Sequence, residues 1–241
     1  MPPQFFPPPV KATPDGLVMA GGDLSPETLL DAYRHGIFPW PMYVDDPILW
    51  WSPDPRGILP LDGLTISHRL GRTLRSDKFQ LTCNRAFRQV IQACATGTGR
   101  EEGTWLTTEM IDAYTQLHRL GHAHSVEAWH DGQLAGGTYG VAVGGLFAAE
   151  SMFYRIRDAS KVALAHLVAH LRVRGYGLLD VQQWTPHTGR LGAVEITRAE
   201  YLDRLEKVVS LPVTFGAELE GDADGRGIGG QRSEVGEGSD C

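Results

Sequence analysis

The chain has 241 residues, of which 42% are hydrophobic and 21% charged, and its formal net charge is −7. These values are ordinary for a soluble globular protein with a packed core. No apolar run approaches the roughly 20 residues of a membrane-spanning helix, and the Pro-rich start lacks the basic and apolar regions of a signal peptide. We therefore expect a cytosolic protein. Three cysteines without metal-ligand spacing agree with a reducing compartment.

The negative charge is concentrated at the C-terminus. Residues 217–241 carry seven acids and two bases, whereas residues 1–216 carry 22 acids and 20 bases. Within that body, residues 65–100 carry seven bases against one acid. A basic band on a near-neutral body is typical of a protein that holds a polyanion weakly, and a solvated helix face explains the charge equally well.

The first predicted element is an extended, Pro-rich segment at residues 1–15. Ser25, followed by Pro26, is a typical helix start, and Gly36 is the predicted end of that helix. A rigid stretch rich in Pro and Trp follows at residues 38–60. We place a domain boundary near residue 62.

Two further helices come next, and then the hydrophobic period changes. Asn84 is the predicted cap of the first helix, and Thr107 or Thr108 of the second. Gly-containing turns then separate three predicted strands. These strands cover residues 124–130, 133–142 and 145–153.

A long helix, a strand and a last helix complete the pattern. Asp158 is the predicted cap of the long helix, which ends at Gly175. Residues 178–183 form a strand that is buried by pattern. Thr197 and Glu200 have the spacing of a capping box for the last helix.

This order of elements indicates an α+β fold with a mixed, mainly antiparallel sheet. Two helices, a three-stranded meander, a long helix and a strand are similar to the N-acetyltransferase superfamily, so we expect a GNAT-like domain. The predicted organisation is an extended N-terminus at 1–15, a small N-terminal α/β domain at 16–62, a GNAT-like domain at 63–212 and a disordered acidic tail at 213–241.

Motifs for common cofactors are missing from the sequence. It contains neither a phosphate-binding Gly-rich loop followed by Lys, nor a dinucleotide fingerprint, nor a His-Glu-x-x-His zinc motif. The turn at residues 154–161 has no glycine, which argues against a CoA thioester donor. We predict that the protein uses no cofactor. His122 and His124 have no third ligand, so we predict no metal either.

Four tryptophans occupy Pro- or Gly-rich settings where core packing alone would rarely place them. They are Trp40, Trp50, Trp51 and Trp105. An indole offers a flat face on which a nucleobase can stack. The sequence therefore favours a stacking surface, with buried core tryptophans as the alternative.

Short motifs along the chain resemble those of the bacterial leucyl/phenylalanyl-tRNA–protein transferase family. They are Gly-Gly-Asp-Leu-Ser at 21–25, Gly-Ile-Phe-Pro-Trp at 36–40, Trp-Trp-Ser-Pro at 50–53, Glu-Glu-Gly-Thr-Trp at 101–105, Gly-His-Ala-His-Ser at 121–125, Glu-Ser-Met-Phe at 150–153 and His-Thr at 187–188. The match runs from about Gly21 to about Leu202, in order and at matching spacing.

The resemblance implies transfer of Leu or Phe, with Met as a further candidate, from aminoacyl-tRNA to a protein that begins with Arg or Lys. The product is marked for degradation in the N-degron pathway. An ester donor and an amide product make the reaction favourable without ATP. The α-amine has a pKa of about 7.7–8.0, so it needs little activation. We expect a monomer.

The resemblance also implies a binding site for the terminal adenosine of the tRNA. Trp40 and Trp105 correspond to the pair that sandwiches the adenine, and Tyr114 to a residue near the tRNA end. Core packing is an alternative for all three, and it is nearly as good for Tyr114, which lies on the apolar stripe of its helix.

Three polar residues are the predicted catalytic set. Asp180 and Gln182 alternate on one strand and should share a face. In the family, the matching pair is proposed to accept and relay the proton of the amine. Because Gln cannot titrate, we expect Gln182 to orient the substrate and Asp180 to carry the charge. Glu150 ends an apolar strand and suits a cationic group of the acceptor. The alternatives are a structural Asp–Gln hydrogen bond and a surface glutamate.

The aminoacyl pocket and the phosphate contacts are also taken from the resemblance. The pocket walls correspond to Thr138, Phe147, Ala149, Leu164, Leu167 and Leu171. The last three form one helical stripe, which core packing also predicts. Thr138 and Leu167 replace larger side chains that are familiar in the family, so the donor preference stays open. Arg69, Arg72 and Arg75 are the predicted contacts to acceptor-stem phosphates.

Two alternatives to this function remain on the sequence alone. The first is an aminoacyl-tRNA-dependent transferase that acts on a small molecule or a peptidoglycan precursor. The second is a non-catalytic protein that binds tRNA 3′ ends.

Overall fold

The computed structural model describes residues 3–40, 47–96, 106–221 and 223. Trp105 and its motif lie outside these ranges. After a 3₁₀ turn at Pro9–Lys11, the elements in chain order are β1 (Leu17–Ala20), α1 (Pro26–Arg34), β2 (Phe38–Pro39), β3 (Leu49–Trp51), β4 (Arg56–Ile58), α2 (His68–Leu74), β5 (Gln80–Cys83), α3 (Phe87–Thr96), α4 (Thr108–Arg119), β6 (Ala123–His130), β7 (Gln133–Val143), β8 (Leu146–Tyr154), α5 (Ala159–Val173), β9 (Leu178–Gln182), α6 (Pro186–Gly189), β10 (Val194–Ile196) and α7 (Arg198–Val208).

The described strands form two sheets in a mixed α+β arrangement. The smaller sheet is antiparallel, with the order β1-β3-β2. The larger one has seven strands in the order β10-β4-β9-β8-β7-β6-β5, and only β8 and β9 run parallel. Strand β4 precedes the boundary predicted near residue 62, yet it pairs with β9 and β10. The larger sheet therefore takes one strand from the N-terminal part of the chain.

Local signals explain the predicted elements that the structure confirms. The Ser25 hydroxyl accepts a hydrogen bond from the Thr28 N–H, and Pro26 occupies the first turn of α1. Thr107 caps α4 in the same way. Asp131 and Gly132, both at positive φ, form the two-residue turn between β6 and β7.

Two predicted helix caps make no capping hydrogen bond, although Asp158 does stand at the N-cap position of α5. Asn84 lies at φ +59°, and its side-chain oxygen accepts a hydrogen bond from the Ser125 N–H at 3.2 Å instead of capping α3. Asp158 precedes α5 at φ +72°, makes no capping hydrogen bond and pairs with Arg69 at 2.8 Å. Asn and Asp tolerate the left-handed region, and here long-range partners replace the local ones.

Segments near both ends of the described chain pack against the rest of the protein. Near the N-terminus, the Phe6 ring packs edge-on against Trp50 with their centroids 4.7 Å apart. At the other end, Phe215 is 2% exposed and stacks on His124. The His170 ring nitrogen Nε2 is hydrogen-bonded to the Phe215 carbonyl oxygen at 2.7 Å. The prediction of disorder is therefore wrong for the tail up to residue 221. Apolar side chains of this segment, such as Phe215, pack into the core on the α5 face.

Helices cover both faces of the larger sheet. One apolar cluster gathers α1, α3 and α4 on one face together with the small sheet, and a second cluster gathers α5 and α2 on the other face. Trp50 is fully buried in the first cluster, so the prediction that it forms part of a stacking surface is wrong. Within the described ranges, no helix is long and apolar enough to cross a membrane.

Candidate functional site

The site lies where two parallel strands separate. Strands β8 and β9 pair only from Leu146 to Ala148 on one side and from Leu178 to Asp180 on the other. Beyond these residues the strands enclose a cavity of about 130 Å³. It is lined by Leu59, Thr138, Ala149, Glu150, Ser151, Met152, Leu164, Val181, Gln182, Thr188, Leu191 and Ala193. The lining is mostly apolar, with a carboxylate and an amide among its polar groups.

Half of the predicted pocket residues line this cavity. Thr138, Ala149 and Leu164 do so. The other three do not. Phe147, Leu167 and Leu171 are at most 1% exposed and pack in the core on the α5 face. The helical stripe is thus divided, because Leu164 lines the cavity while Leu167 and Leu171 serve core packing, which was the alternative explanation.

The carboxylate of Glu150 accepts three hydrogen bonds. The Tyr33 hydroxyl donates to it at 2.8 Å, the Gln182 amide at 2.7 Å and the Tyr114 hydroxyl at 3.3 Å. The two tyrosine hydroxyls also lie 2.6 Å apart. No cation takes part in this cluster among the described ion pairs. Glu150 is therefore held by neutral donors at the wall of the cavity.

Burial raises the pKa of Glu150 to about 7. The hydrogen bond from Tyr33 lowers this pKa, and the negative charge of Asp180 raises it. Near neutral pH the carboxyl group is therefore divided between its protonated and ionised forms. A group in this state can take up a proton and release it again.

Gln182 reaches Glu150 because the strand changes conformation at its last residue. Gln182 has φ +61°, so the alternation that predicted a face shared with Asp180 does not continue through it. Its backbone N–H donates to Asp180 at 2.8 Å, and its side chain points to Glu150. The two predicted partners are connected through the backbone of Gln182, and their side chains enter different clusters.

Asp180 belongs to a buried ion pair. Its carboxylate accepts from the Arg56 guanidinium at 3.0 and 2.6 Å and from the Tyr201 hydroxyl at 2.8 Å. Burial by itself lowers the pKa of Arg56, but the charge of Asp180 raises it above its usual range. Asp180 is 1% exposed and lies outside the lining of the cavity. This position does not fit its predicted role as the proton acceptor.

Arg56 also connects the small sheet to the site. A guanidinium N–H donates to the Gly36 carbonyl at 3.0 Å, and the guanidinium carbon lies 4.7 Å from the Phe38 ring centroid and 4.3 Å from that of Tyr201. The site residues predicted from the sequence did not include Arg56, Tyr201 or Tyr33. The one available signal was the presence of Arg56 in a conspicuous Pro- and Trp-rich stretch.

The predicted adenosine-binding residues have different surroundings. Trp40 follows β2, is partly buried, and accepts a hydrogen bond through its carbonyl from the Trp51 indole at 2.9 Å. Tyr114 is fully buried, and its hydroxyl belongs to the Glu150 cluster. Core packing and a position at the site are thus both true of Tyr114. With Trp105 outside the described residues, the sandwich of two indoles stays a prediction.

The three predicted phosphate-binding arginines are also unlike one another. Arg72 and Arg75 are exposed on and directly after α2. Arg69 is paired with Asp158 at the start of α5. Arg69 is partly exposed but already has a counter-ion, whereas neither Arg72 nor Arg75 has an ion pair among the described residues.

Comparison with known proteins adds to this geometry. Among solved structures, the chain is similar to "The structure of L-PGS from Bacillus licheniformis" at 14% identity, with a TM-score of 0.38 and coverage of 68% of this chain and 55% of that chain. This likeness is too low to assign a fold. Sequence relatives are much closer.

Two curated proteins, each named leucyl/phenylalanyl-tRNA–protein transferase, are similar over most of their length. The one from Syntrophotalea carbinolica is 52% identical over 87% of this chain and 91% of its own. The one from Pseudomonas aeruginosa PAO1 is 52% identical over 87% of this chain and 93% of its own. The sequence models of the transferase and of its N-terminal domain match residues 58–206 and 22–54. The chain therefore belongs to the leucyl/phenylalanyl-tRNA protein transferase family.

Proposed function

We propose that the protein transfers Leu or Phe from aminoacyl-tRNA to the α-amino group of proteins that begin with Arg or Lys. The observation that carries this proposal is a carboxyl group with a pKa of about 7 at the wall of a mostly apolar cavity. An apolar cavity suits the side chain of the donor amino acid. A carboxylate suits the amine that attacks its ester.

In the proposed reaction, the amine nitrogen attacks the carbonyl carbon of the ester. A C–N bond forms, the C–O bond to the ribose breaks, and the ribose oxygen leaves with a proton. Glu150 takes the proton that the amine loses and returns it to the leaving oxygen. Much of the acceleration comes from positioning the two substrates. No high-energy cofactor is required, because an amide replaces an ester.

Gln182 has the role of an orienting group in this mechanism. Its amide donates to Glu150, and its carbonyl oxygen remains available as an acceptor for the amine. Asp180 is a positioning residue, because it holds the backbone N–H of Gln182 while Arg56 neutralises its charge. We thus propose Glu150, in place of Asp180, as the proton acceptor.

The donor tRNA is proposed to bind through stacking and charge. Trp40 and Trp105 sandwich the terminal adenine, with Tyr114 beside the ester, and Arg72 and Arg75 contact phosphates of the acceptor stem. We further propose a small domain at 16–62 that contributes strand β4 to the sheet of a GNAT-like domain at 63–212, together with a monomeric state and a cytoplasmic location.

The experiment is a transfer assay with purified protein. Labelled Leu-tRNA, Phe-tRNA and Arg-tRNA are each incubated with two peptides that differ only in an N-terminal Arg or Ala. The proposal predicts label on the Arg peptide from the first two donors alone. Equal labelling of both peptides, or labelling only of a small-molecule acceptor, would contradict the proposed acceptor. Binding of tRNA without any transfer would leave only the non-catalytic alternative.

A further inference from the structure

A second cavity adjoins the aminoacyl pocket and is strongly polar. It measures about 450 Å³ and lies between α2, the end of β8, the start of α5 and α6. Met152 lines both cavities, and His187 of the second is followed directly by Thr188 of the first. A molecule that occupies the aminoacyl pocket therefore lies next to this space.

Positive charge predominates in the lining. Arg69, Arg157 and Lys161 are its cations, and Asp158 is its one acid. Arg69 is paired with Asp158, but Arg157 and Lys161 make no ion pair with any described residue. Partial burial lowers the pKa of His187, and the positive charges of Lys161 and Arg190 lower it further.

A hydroxyl in the same lining has no partner among the described residues. Ser160, at the start of α5, is 5% exposed, and its hydroxyl makes no hydrogen bond within the described part of the chain. The Ser160 hydroxyl lines the cavity beside two unpaired cations and has no protein partner among the described residues, so it is free to donate a hydrogen bond to a polar ligand there. The first turn of a 15-residue helix adds a favourable dipole for an anion.

We propose that this cavity, lined by Ser67, Arg69, Arg157, Ser160, Lys161 and His187, binds a backbone phosphate of the RNA near the 3′ end of the donor tRNA. This inference rests on the proposed function. An RNA phosphate fits better than a carboxylate of the protein acceptor because the cations continue beyond the cavity. Arg72 and Arg75 extend them from Arg69 along and past α2 at the surface, as a polyanion would require.

The test uses direct binding first, because it needs no catalysis. A fluorescent RNA hairpin with a single-stranded ACCA end is titrated by anisotropy into the full-length protein, into Lys161→Gln and into Arg157→Gln. Lys207→Gln is the matched control, since Lys207 pairs with Asp203 on α7. We expect each cavity variant to weaken binding about fivefold at low salt and to lower the salt slope by roughly one, with no change in the control. Circular dichroism checks that each variant is folded.

A second measurement identifies which substrate the cavity holds. Transfer from aminoacyl-tRNA is compared with transfer from 3′-aminoacyl-adenosine, which has no phosphate. The proposal predicts that Lys161→Gln slows the first about fivefold and leaves the second unchanged. Equal losses with both donors would overturn it. A loss seen only with peptides that carry an acidic second residue would overturn it as well, and would assign the cavity to the protein acceptor.

The two proposals fail in different ways. If the wild type binds the hairpin through Lys161 but transfers nothing to any acceptor, the proposed function fails and the phosphate site stands. If transfer proceeds and the cavity variants bind the hairpin like the wild type, the phosphate site alone is refuted.

Discussion

The pH dependence of transfer is the sharpest test of the role of Glu150. Its pKa of about 7 means that the ionised fraction rises from about 0.1 at pH 6 to about 0.9 at pH 8. If only the ionised form takes the proton from the amine, the contribution of Glu150 to the rate should grow about tenfold over this interval. Glu150→Gln keeps the shape of the side chain and removes the titration.

The assay measures kcat/KM for an Arg-peptide at pH 6 and pH 8, with the wild type and with Glu150→Gln. The α-amine of the peptide also titrates in this range, but it does so equally for both proteins. The ratio of wild type to variant therefore isolates Glu150, and we expect this ratio to rise about tenfold. Glu200→Gln is the control, because Glu200 lies on α7 and pairs with Arg204 at the surface. A ratio that stays constant between the two pH values would refute Glu150 as the titrating base.

Three further predictions concern other parts of the site. Asp180→Asn leaves Arg56 buried without its counter-charge, so the free energy of unfolding in urea should fall by about 3–5 kcal/mol, and an unchanged midpoint would contradict the importance of the pair. Trp40→Ala should raise the KM for tRNA by about one to two orders of magnitude, while Trp50→Ala should lower stability by about 3–5 kcal/mol; the reverse pattern would exchange the two assignments. Thr138→Met narrows the cavity and should lower the preference for Phe-tRNA over Leu-tRNA at least about fivefold in a competition assay, and an unaltered ratio would remove Thr138 from the pocket wall.

Sequence patterns predicted elements whose causes are local. The cap at Thr107 depends on an atom three residues away, and the turn at Asp131 on two adjacent residues. The capping hydrogen bonds expected of Asn84 and Asp158 do not form, for the complementary reason. The Asn84 side chain accepts a hydrogen bond from Ser125, and the Asp158 side chain pairs with Arg69. Local propensity cannot predict such long-range partners.

For the candidate site, the sequence predicted the names of several residues but not the contacts between them. Glu150 and Gln182 were named in advance, and they are in contact. Asp180 was named too, but its partner Arg56 is 124 residues away and was not anticipated. Gln182 has a positive φ, which separates its side chain from that of Asp180. The two-residue alternation of a strand could not predict this change of conformation. The family resemblance likewise supplied the names of pocket residues, but it did not indicate which of them line the cavity between β8 and β9.

The buried guanidinium of Arg56 has a consequence for how the molecule comes apart. It ties the Gly36 carbonyl, next to the small sheet, to the central strand β9, and apolar side chains from both sheets share one interior. Neither the N-terminal part with the small sheet nor the part with the larger sheet therefore has a complete hydrophobic core of its own. A protease cut between them should yield fragments that collapse together or precipitate, and heating should produce a single cooperative melting event.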